Sequence, residues 1–273
     1  MEILHRFFVD TNQIKNNEIK IIGKDVKHIK DVLRLREGEN IEVLSNGHTY
    51  ISQILSLNSD SINTNIIEAF PGKNEPAVDI ILYQGIPKGD KMEYIIQKNV
   101  ELGIKEIYPV IMNRTVVKFK DKKKEINRLN RWQSISDEAA KQSKRDILPK
   151  VNRIIDFSGM LKILRGKEYI IVPYEEEKSL SLKDILKDNS PKEIHLIIGP
   201  EGGFEEDEIK ALREINGQIV SLGPRILRTE TAGLVVSSII LYEFGSLEMI
   251  KCGFSYPRMQ SESIRNRGHG RII

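Results

Sequence analysis

Two short segments of the sequence combine glycine, proline and charged residues in the way that ligand-binding loops do. The first, IGPEGGF at residues 198–204, continues an apolar run that begins at Ile194, and the second, LGPRILRTETAG at residues 222–233, follows the apolar segment 218–222. Neither contains the lysine of a P-loop or the Gly-x-Gly-x-x-Gly of a dinucleotide-binding turn. The glutamate inside the first loop also disfavours a bound phosphate. An enzyme whose loops hold a nucleotide by its phosphates is therefore the weaker interpretation.

The second loop carries residues for two kinds of contact. Ile226 and Leu227 are apolar within a polar segment, which is typical either of core packing or of a slot for a flat ring whose edge is read by main-chain groups. Arg228 and Glu230 flank Thr229. An arginine there can stabilise developing negative charge, and a glutamate can remove a proton or orient the arginine. A structural salt bridge at the start of the next helix is the alternative.

A third set of polar residues lies on or near a long helix predicted over residues 125–143. Glu138, Gln142 and Arg145 recur at i, i+4 and i+7, a spacing that predicts one shared helix face. The net charge of the chain is only +3, but residues 113–153 hold thirteen Lys or Arg against five Asp or Glu. This local surplus indicates either a solvated face or a salt-sensitive attraction for phosphate.

The first 70 or so residues contain short β-like runs separated by turn signals such as Asn46-Gly47, which predicts a hairpin. One helix interrupts them at 25–35, and its helical spacing assigns Val26, Ile29, Val32 and Leu33 to the core. The pattern of this segment therefore predicts a small β-barrel, with a domain boundary in the loop 70–76. We expect domains at 1–72 and 73–250, followed by a basic, disordered tail at 251–273.

Beyond residue 73 the pattern changes to strands that alternate with helices. This order predicts an α/β fold with a parallel sheet covered by helices on both faces. The two glycine-rich loops then lie at the carboxyl ends of parallel strands, where they form one crevice, the favoured ligand position in such sheets. The predicted strands are 78–84, 107–111, 169–172, 194–198 and 218–222, and the predicted helices are 91–102, 125–143, 180–187, 206–214 and 231–244.

The remaining composition excludes several classes of protein. A single cysteine, Cys252, is incompatible with a disulfide framework or a cysteine-rich zinc site. The amino terminus has no signal-peptide pattern, and no apolar run approaches the roughly 20 residues that a membrane span needs. We therefore expect a cytoplasmic protein that neither crosses a membrane nor requires a metal.

The pair GPEGGF and LGPRILRTETAG resembles the signature of the SPOUT methyltransferases, in particular the bacterial family that methylates N3 of a uridine in 16S ribosomal RNA. Further segments agree in order: IPKGDKME at 86–93, KNVELG at 98–103, RTVVK at 114–118 and RWQSISDEAAKQSKR at 131–145. The amino-terminal HRFF at 5–8 and VLRL at 32–35 resemble the PUA-like RNA-binding domain of that family. The resemblance runs from about residue 3 to residue 247.

The resemblance implies a trefoil-knotted catalytic domain that binds S-adenosylmethionine in a bent form, and a homodimer formed through the knotted domains. It implies a substrate in 16S ribosomal RNA of the small subunit, at the uridine numbered 1498 in the usual scheme. Mapped onto this sequence, the cofactor-binding residues are Val172, Pro173, Tyr174, Gly199, Pro200, Glu201, Gly202, Gly203, Leu222, Gly223, Ile226, Leu227, Arg228 and Thr231.

The catalytic candidates are Arg228 and Glu230, because uracil N3 carries a proton at neutral pH that must leave. With them we place Arg145, expected to hold RNA phosphate or the base, and Glu138, expected to orient Arg145. The expected RNA contacts are Arg6, Arg34, Lys88, Lys91 and Arg114.

Two alternatives stay open from the sequence. One is a non-catalytic RNA-binding protein, and the other is a knotted methyltransferase that modifies a ribose 2′-OH or guanine N1. In every case a base in folded RNA must be exposed or turned out of its stack before it can reach the crevice.

Overall fold

In the computed structural model, the described residues are 4–117, 121–187, 190–244 and 246. They form a six-stranded sheet near the amino terminus and a seven-stranded sheet after it. The predicted tail at 251–273 lies outside these residues. Within the described part of the chain, no helix combines the length and the apolar character that crossing a membrane requires.

The first sheet is mixed, with strand order β1-β4-β5-β6-β3-β2. Strand β1 runs parallel to β4 and the other pairs are antiparallel. The predicted hairpin at Asn46-Gly47 is confirmed: both residues have positive φ, 48° and 75°, as a two-residue turn between paired strands requires. The strands are β1 Arg6–Phe8, β2 Ile14–Lys15, β3 Glu18–Ile22, β4 Asn40–Ser45, β5 His48–Leu57 and β6 Ser61–Pro71.

The helix between β3 and β4 differs from the prediction. Helix α1 covers only Lys24–Lys27 and continues as a π-helix over His28–Val32, after which Arg34 adopts a φ of 56°. Val26 and Ile29 are buried as predicted, but Val32 is 67% exposed, so its assignment to the core is wrong. The wider π turn changes the angular spacing that the prediction assumed.

The second sheet is parallel throughout, with the order β10-β8-β7-β12-β11-β13 and β9 beside β8. Helices cover both of its faces, as predicted: buried residues of α2, α3, α5 and α7 pack on one face and those of α4 and α6 on the other. The strands are β7 Asp79–Gly85, β8 Glu106–Ile111, β9 Lys150–Val151, β10 Ile155–Asp156, β11 Ile170–Pro173, β12 Glu193–Ile198 and β13 Gln218–Val220. The helices are α2 Lys91–Leu102, α3 Lys122–Gln142, α4 Phe157–Leu164, α5 Leu182–Leu186, α6 Glu206–Glu214 and α7 Thr229–Glu243.

The strand order decides how the two glycine-rich loops meet. Strands β12 and β13 are consecutive in the sequence, yet β11 lies between them and pairs with both. The loops that leave β12 and β13 therefore stand on either side of the loop that leaves β11. All three leave the same carboxyl edge of the sheet, which is where ligands bind in open α/β folds. The trefoil knot stays a prediction.

Candidate active site

Two adjoining cavities open at the carboxyl edge of the second sheet, with volumes of about 330 and 580 Å³. They share Pro173, Glu175, Ile226, Leu227 and Ala232, so together they form one crevice. Most of the predicted cofactor residues line it. The first cavity holds Gly199, Pro200, Glu201, Gly203 and Arg228, and the second holds Tyr174, Leu222 and Gly223, in addition to the shared Pro173, Ile226 and Leu227.

Three predicted cofactor residues do not line either cavity. Val172 is fully buried in the core beneath Pro173. Gly202 faces outward, toward the side chain of Arg114. Thr231 lies inside the first turn of α7, where its N–H donates to the Arg228 carbonyl at 2.8 Å.

Thr229 fastens the two loops together, a role that the sequence interpretation missed. Its hydroxyl donates to the Gly199 carbonyl at 2.6 Å and accepts from the Gln84 amide at 2.8 Å. Thr229 is 6% exposed and Gln84 is fully buried at the end of β7. Because a buried hydroxyl with both partners in place is stable in one geometry, Thr229 fixes the start of α7 against the loop after β12. In the sequence, this role of Thr229 was indicated by its position between the charged residues Arg228 and Glu230.

Glu175 is a second residue of the crevice that the sequence interpretation missed. It follows β11 and lines both cavities. The loop needs glycine at position 203 because Gly203 has a φ of 69°, and a β-carbon there would also lie 2.7 Å from Glu175 Oε1. The crevice thus presents a carboxylate beside the apolar side chains of Pro173, Ile226 and Leu227.

The loop after β8 supports the GPEGGF loop from outside. Arg114 donates to the Gly202 carbonyl at 2.8 Å, and the Asn113 N–H donates to Glu208 Oε1 at 2.9 Å. The Asn113 amide also reaches Glu205. The exposed Arg114 side chain therefore supports the GPEGGF loop. Its predicted contact with RNA stays a prediction.

Three charged side chains meet beside the first cavity. The Lys91 ammonium, at the start of α2, lies 3.2 Å from Glu201 Oε1 and 3.3 Å from Glu230 Oε2. The Lys88 N–H also donates to Glu201 at 3.1 Å. Glu230 therefore pairs with Lys91 rather than orienting Arg228, which stays exposed and also lines this cavity.

These contacts set the protonation states of the group. The hydrogen bond with Glu201 raises the pKa of Lys91, so this ammonium stays charged at neutral pH. Burial pushes the pKa of Glu201 upward, but main-chain N–H donors and Lys91 outweigh it and the pKa is lowered. Lys91 is thus a fixed cation beside the cavity and cannot act there as a base.

Arg145 has a different place from the one predicted. Helix α3 ends at Gln142, and Lys144 turns the chain with a φ of 58°, so Glu138, Gln142 and Arg145 do not share a helix face. Arg145 is 3% exposed, and all three of its guanidinium nitrogens donate within the protein, to Glu75 and to the Val100 and Ile104 carbonyls. The predicted contact with RNA is wrong for this side chain.

Two further predicted residues lie apart from the crevice. Glu138 lines a groove between α2 and α3 and does not orient Arg145. The Arg6 side chain is 12% exposed and is paired with Glu42 at 2.6 Å and Asp146 at 2.9 Å, so it is not free for the predicted contact with RNA. Arg34 and Lys88 are exposed, and their contacts with RNA stay predictions.

Comparison with known proteins finds matches over both sheets. Residues 73–241 match the model of an RNA methyltransferase domain, and residues 21–67 match that of an RNA methyltransferase PUA domain. The chain is similar to ribosomal RNA small subunit methyltransferase E of Bacillus subtilis (strain 168), with 36% identity over 249 residues that cover 88% of this chain and 97% of that protein. The protein of the same name from Mesomycoplasma hyopneumoniae (strain 232) is 32% identical, over 85% of this chain and 96% of its own length.

Solved structures agree. A ribosomal RNA small subunit methyltransferase E from Neisseria gonorrhoeae bound to S-adenosyl methionine is 32% identical, with a TM-score of 0.76 and coverage of 87% of this chain and 97% of that one. A putative methyltransferase from Legionella pneumophila in complex with the same cofactor is 28% identical, with a TM-score of 0.75 and coverage of 88% and 97%. The predicted fold class, a PUA-like unit followed by an α/β methyltransferase domain, is thereby confirmed.

Proposed function

The chain belongs to the family of the ribosomal RNA small subunit methyltransferases E, and on that premise we propose that it methylates N3 of a uridine in 16S ribosomal RNA. The methyl donor is S-adenosylmethionine. The observation that carries the proposal is the crevice itself, where apolar side chains lie beside the Lys91 ammonium and the carboxylates of Glu175, Glu201 and Glu230 at the carboxyl edge of the sheet.

The crevice has the chemistry that the donor needs. Pro173, Ile226 and Leu227 supply apolar surface for a flat ring, and the main chain around Gly199 supplies polar groups at its edge. Glu175 offers a carboxylate that can accept from hydroxyl or ammonium groups. When bound, S-adenosylmethionine supplies a methyl group on a sulfonium, which needs no Lewis acid.

The protein's own task is to free the nucleophile. Uracil N3 holds a proton at neutral pH, and negative charge spreads onto the neighbouring carbonyl oxygens as that proton leaves. The Glu230 carboxylate accepts the proton in this proposal, and the Lys91 ammonium, 3.3 Å from Glu230 Oε2, stabilises the charge. Arg228, exposed at the same cavity, provides a second cation for the base or for an adjacent phosphate.

The substrate is proposed to be the assembled small subunit, with the uridine numbered 1498 in the usual scheme as its target. The PUA-like unit and the exposed cations Arg34 and Lys88 would hold the RNA backbone, which sets position, while the crevice selects the base. The proposed catalytic domain is a trefoil knot formed by the segments that carry the two glycine-rich loops.

A homodimer through the knotted domain is part of the proposal. Helices α2 and α7 pack together and carry three exposed apolar side chains, Tyr94, Ile239 and Tyr242, at 48%, 41% and 68% exposure. Apolar groups of this kind on neighbouring helices support a protein contact. Sedimentation of the full chain would give a dimer mass, and a monomer mass at micromolar concentration would contradict this part.

The function is tested by transfer of a labelled methyl group from S-adenosylmethionine to small subunits that lack this modification. The intact protein should label them, and Arg228→Ala should lower the rate by about 100-fold, the usual cost of losing a charge-stabilising group. Arg165→Ala is the matched control, since Arg165 is exposed and lines neither cavity. No labelling, with salt-sensitive RNA binding intact and no affinity for S-adenosylmethionine, would favour a non-catalytic RNA-binding protein.

A further inference from the structure

A hydrogen-bonded cluster of charged and polar residues, centred on the buried Arg145 and Asp146, joins the first sheet to the second. We call Arg6, Asn74, Glu75, Arg145 and Asp146 the junction cluster. The Asp146 carboxylate is 1% exposed and is its centre. One of its oxygens accepts from Arg6, on strand β1, at 2.9 Å, and the other accepts from the Asn74 N–H, in the linker, at 2.7 Å. Three separate parts of the chain thus meet at one carboxylate.

The cluster continues from Asp146 into the catalytic unit through Glu75. Glu75 accepts from the Asp146 N–H at 2.7 Å and from Arg145, whose second terminal nitrogen lies 2.6 Å from Glu75 Oε2. Arg145 also donates to the Val100 carbonyl at 2.8 Å and the Ile104 carbonyl at 3.1 Å, at the carboxyl end of α2. The amino end of this same helix carries Lys91, beside the first cavity. The junction cluster therefore ties strand β1 to the helix that lines the crevice.

At Gly72 the linker packs directly against the Asp146 side chain. A β-carbon at Gly72 would lie 2.5 Å from Asp146 Oδ2 and 2.7 Å from Asp146 Cβ. The Gly72 N–H also donates to the Gly47 carbonyl at 2.8 Å, in the turn between β4 and β5. The chain is therefore held against Asp146 on one side and against the first sheet on the other.

Other ion pairs across the junction are longer and more exposed. Lys141 lies 3.3 Å from Asp25, and Lys24 lies 3.7 Å from Asp137 with 73% of the Lys24 side chain exposed. The Lys24–Asp137 pair, with its exposed lysine, contributes little, and the Lys141–Asp25 pair is partly buried, with side chains 31% and 14% exposed. Buried, paired charges are a poor source of net stability, but a hydrogen-bonded network of them holds one geometry. The junction cluster can thus fix the position of the PUA-like unit relative to the α/β methyltransferase domain.

We propose that the junction cluster positions the PUA-like unit so that RNA held there presents its target base to the crevice. Arg6 and Asp146 are then positioning residues rather than RNA contacts. The inference rests on the proposed function, because it concerns the distance between the RNA-holding surface and the site of methyl transfer. It explains why Arg6 and Arg145, both predicted RNA contacts, are instead bonded within the protein.

Two substitutions test it in the full chain. Asp146→Asn places an amide where a carboxylate oxygen accepts the Asn74 N–H, and Arg6→Met keeps the apolar stem while removing the charge. Each should raise the KM for small subunits about ten-fold, because the competent arrangement becomes a minor population. The kcat at saturation and the Kd for S-adenosylmethionine should stay within about two-fold of the intact protein, since neither residue lines the crevice. Arg6→Lys should restore part of the loss.

The matched control is Asp79→Asn. It removes an ion pair with Lys105 that lies within the second unit and away from the junction, and it should leave KM unchanged. Small-angle X-ray scattering provides a readout that does not depend on activity: both junction variants should show a larger radius of gyration, and the control should not.

The possible failures are distinguishable. If the intact protein labels no subunits, the proposed function fails. If it does label them, but Asp146→Asn and Arg6→Met keep both the KM and the scattering profile of the intact protein, the positioning role is wrong. A loss of kcat or of S-adenosylmethionine affinity equal to the rise in KM would also overturn it, because that result indicates general damage to the catalytic unit.

Discussion

Replacing Arg145 by glutamine removes a guanidinium that is bonded on every nitrogen and is 3% exposed. Breaking a buried ion pair by removing one partner costs about 3–5 kcal/mol. The cost here lies near the lower limit, about 3 kcal/mol, because the Glu75 that remains is 25% exposed and keeps the N–H donors of Asp146 and Ile147. The Val100 carbonyl also keeps a donor, the Gly103 N–H, whereas the Ile104 carbonyl loses the one from Arg145.

Urea-induced unfolding, followed by circular dichroism, measures this difference. The midpoint for Arg145→Gln should fall by about 1 M or more, given slopes of about 1–3 kcal/mol per molar urea. Arg165→Gln, at an exposed arginine, should stay within about 0.5 kcal/mol of the intact protein. If Arg145→Gln were as stable as the intact protein and had lost only its affinity for RNA, the structural role would be refuted and the RNA contact suggested by the sequence would be right.

Three further outcomes are expected. Gly203→Ala should weaken S-adenosylmethionine binding at least ten-fold by calorimetry, because Gly203 has a φ of 69° and a β-carbon would lie 2.7 Å from Glu175 Oε1; unchanged binding would remove this loop from the cofactor site. Lys91→Met should lower the single-turnover rate about 100-fold, with a smaller effect on cofactor affinity, because it removes the cation 3.3 Å from Glu230; an equal loss of affinity would make Lys91 a binding residue instead. Hydrogen bonds from Ser179 and then Arg213 hold the pKa of Glu177 at about 2, below its ordinary value of 4.5. Because the folded-state pKa is the lower one, this stabilisation is present above about pH 4.5 and is lost as the pH falls through about 2. The thermal midpoint of Glu177→Gln should therefore fall less between these pH values than that of the intact protein, and identical slopes would contradict the assignment.

The sequence predicted the crevice because its signals are local. Glycine and proline after apolar runs mark loops at strand ends, and parallel strands bring such loops to one edge. This reasoning placed Gly199, Ile226 and Leu227 at the site, where they line the first cavity. The predicted pattern of strands and helices likewise depends on local spacing of apolar residues, and the parallel sheet agrees with it.

The roles of the charged residues could not be predicted from local spacing, because their partners are distant in the sequence. Arg145 pairs with Glu75, 70 residues earlier, and Lys91 pairs with Glu201 and Glu230, more than 100 residues later. Whether a charged side chain faces solvent or a buried partner depends on the packing of elements, which periodicity along one helix does not contain. The predicted burial of Val32 was wrong for a related reason, because a π turn changed the helical spacing from which that burial had been inferred.

The atom that receives the methyl group, N3 of uridine, can be identified directly. Small subunits lacking the modification would be incubated with the protein and S-adenosylmethionine, their 16S ribosomal RNA digested to nucleosides, and the products separated by liquid chromatography and identified by mass spectrometry against synthetic standards. We expect 3-methyluridine, formed at similar rates by the intact protein and by Arg165→Ala and about 100-fold more slowly by Arg228→Ala. A 2′-O-methylated nucleoside or 1-methylguanosine in its place, or no new nucleoside at all, would contradict it.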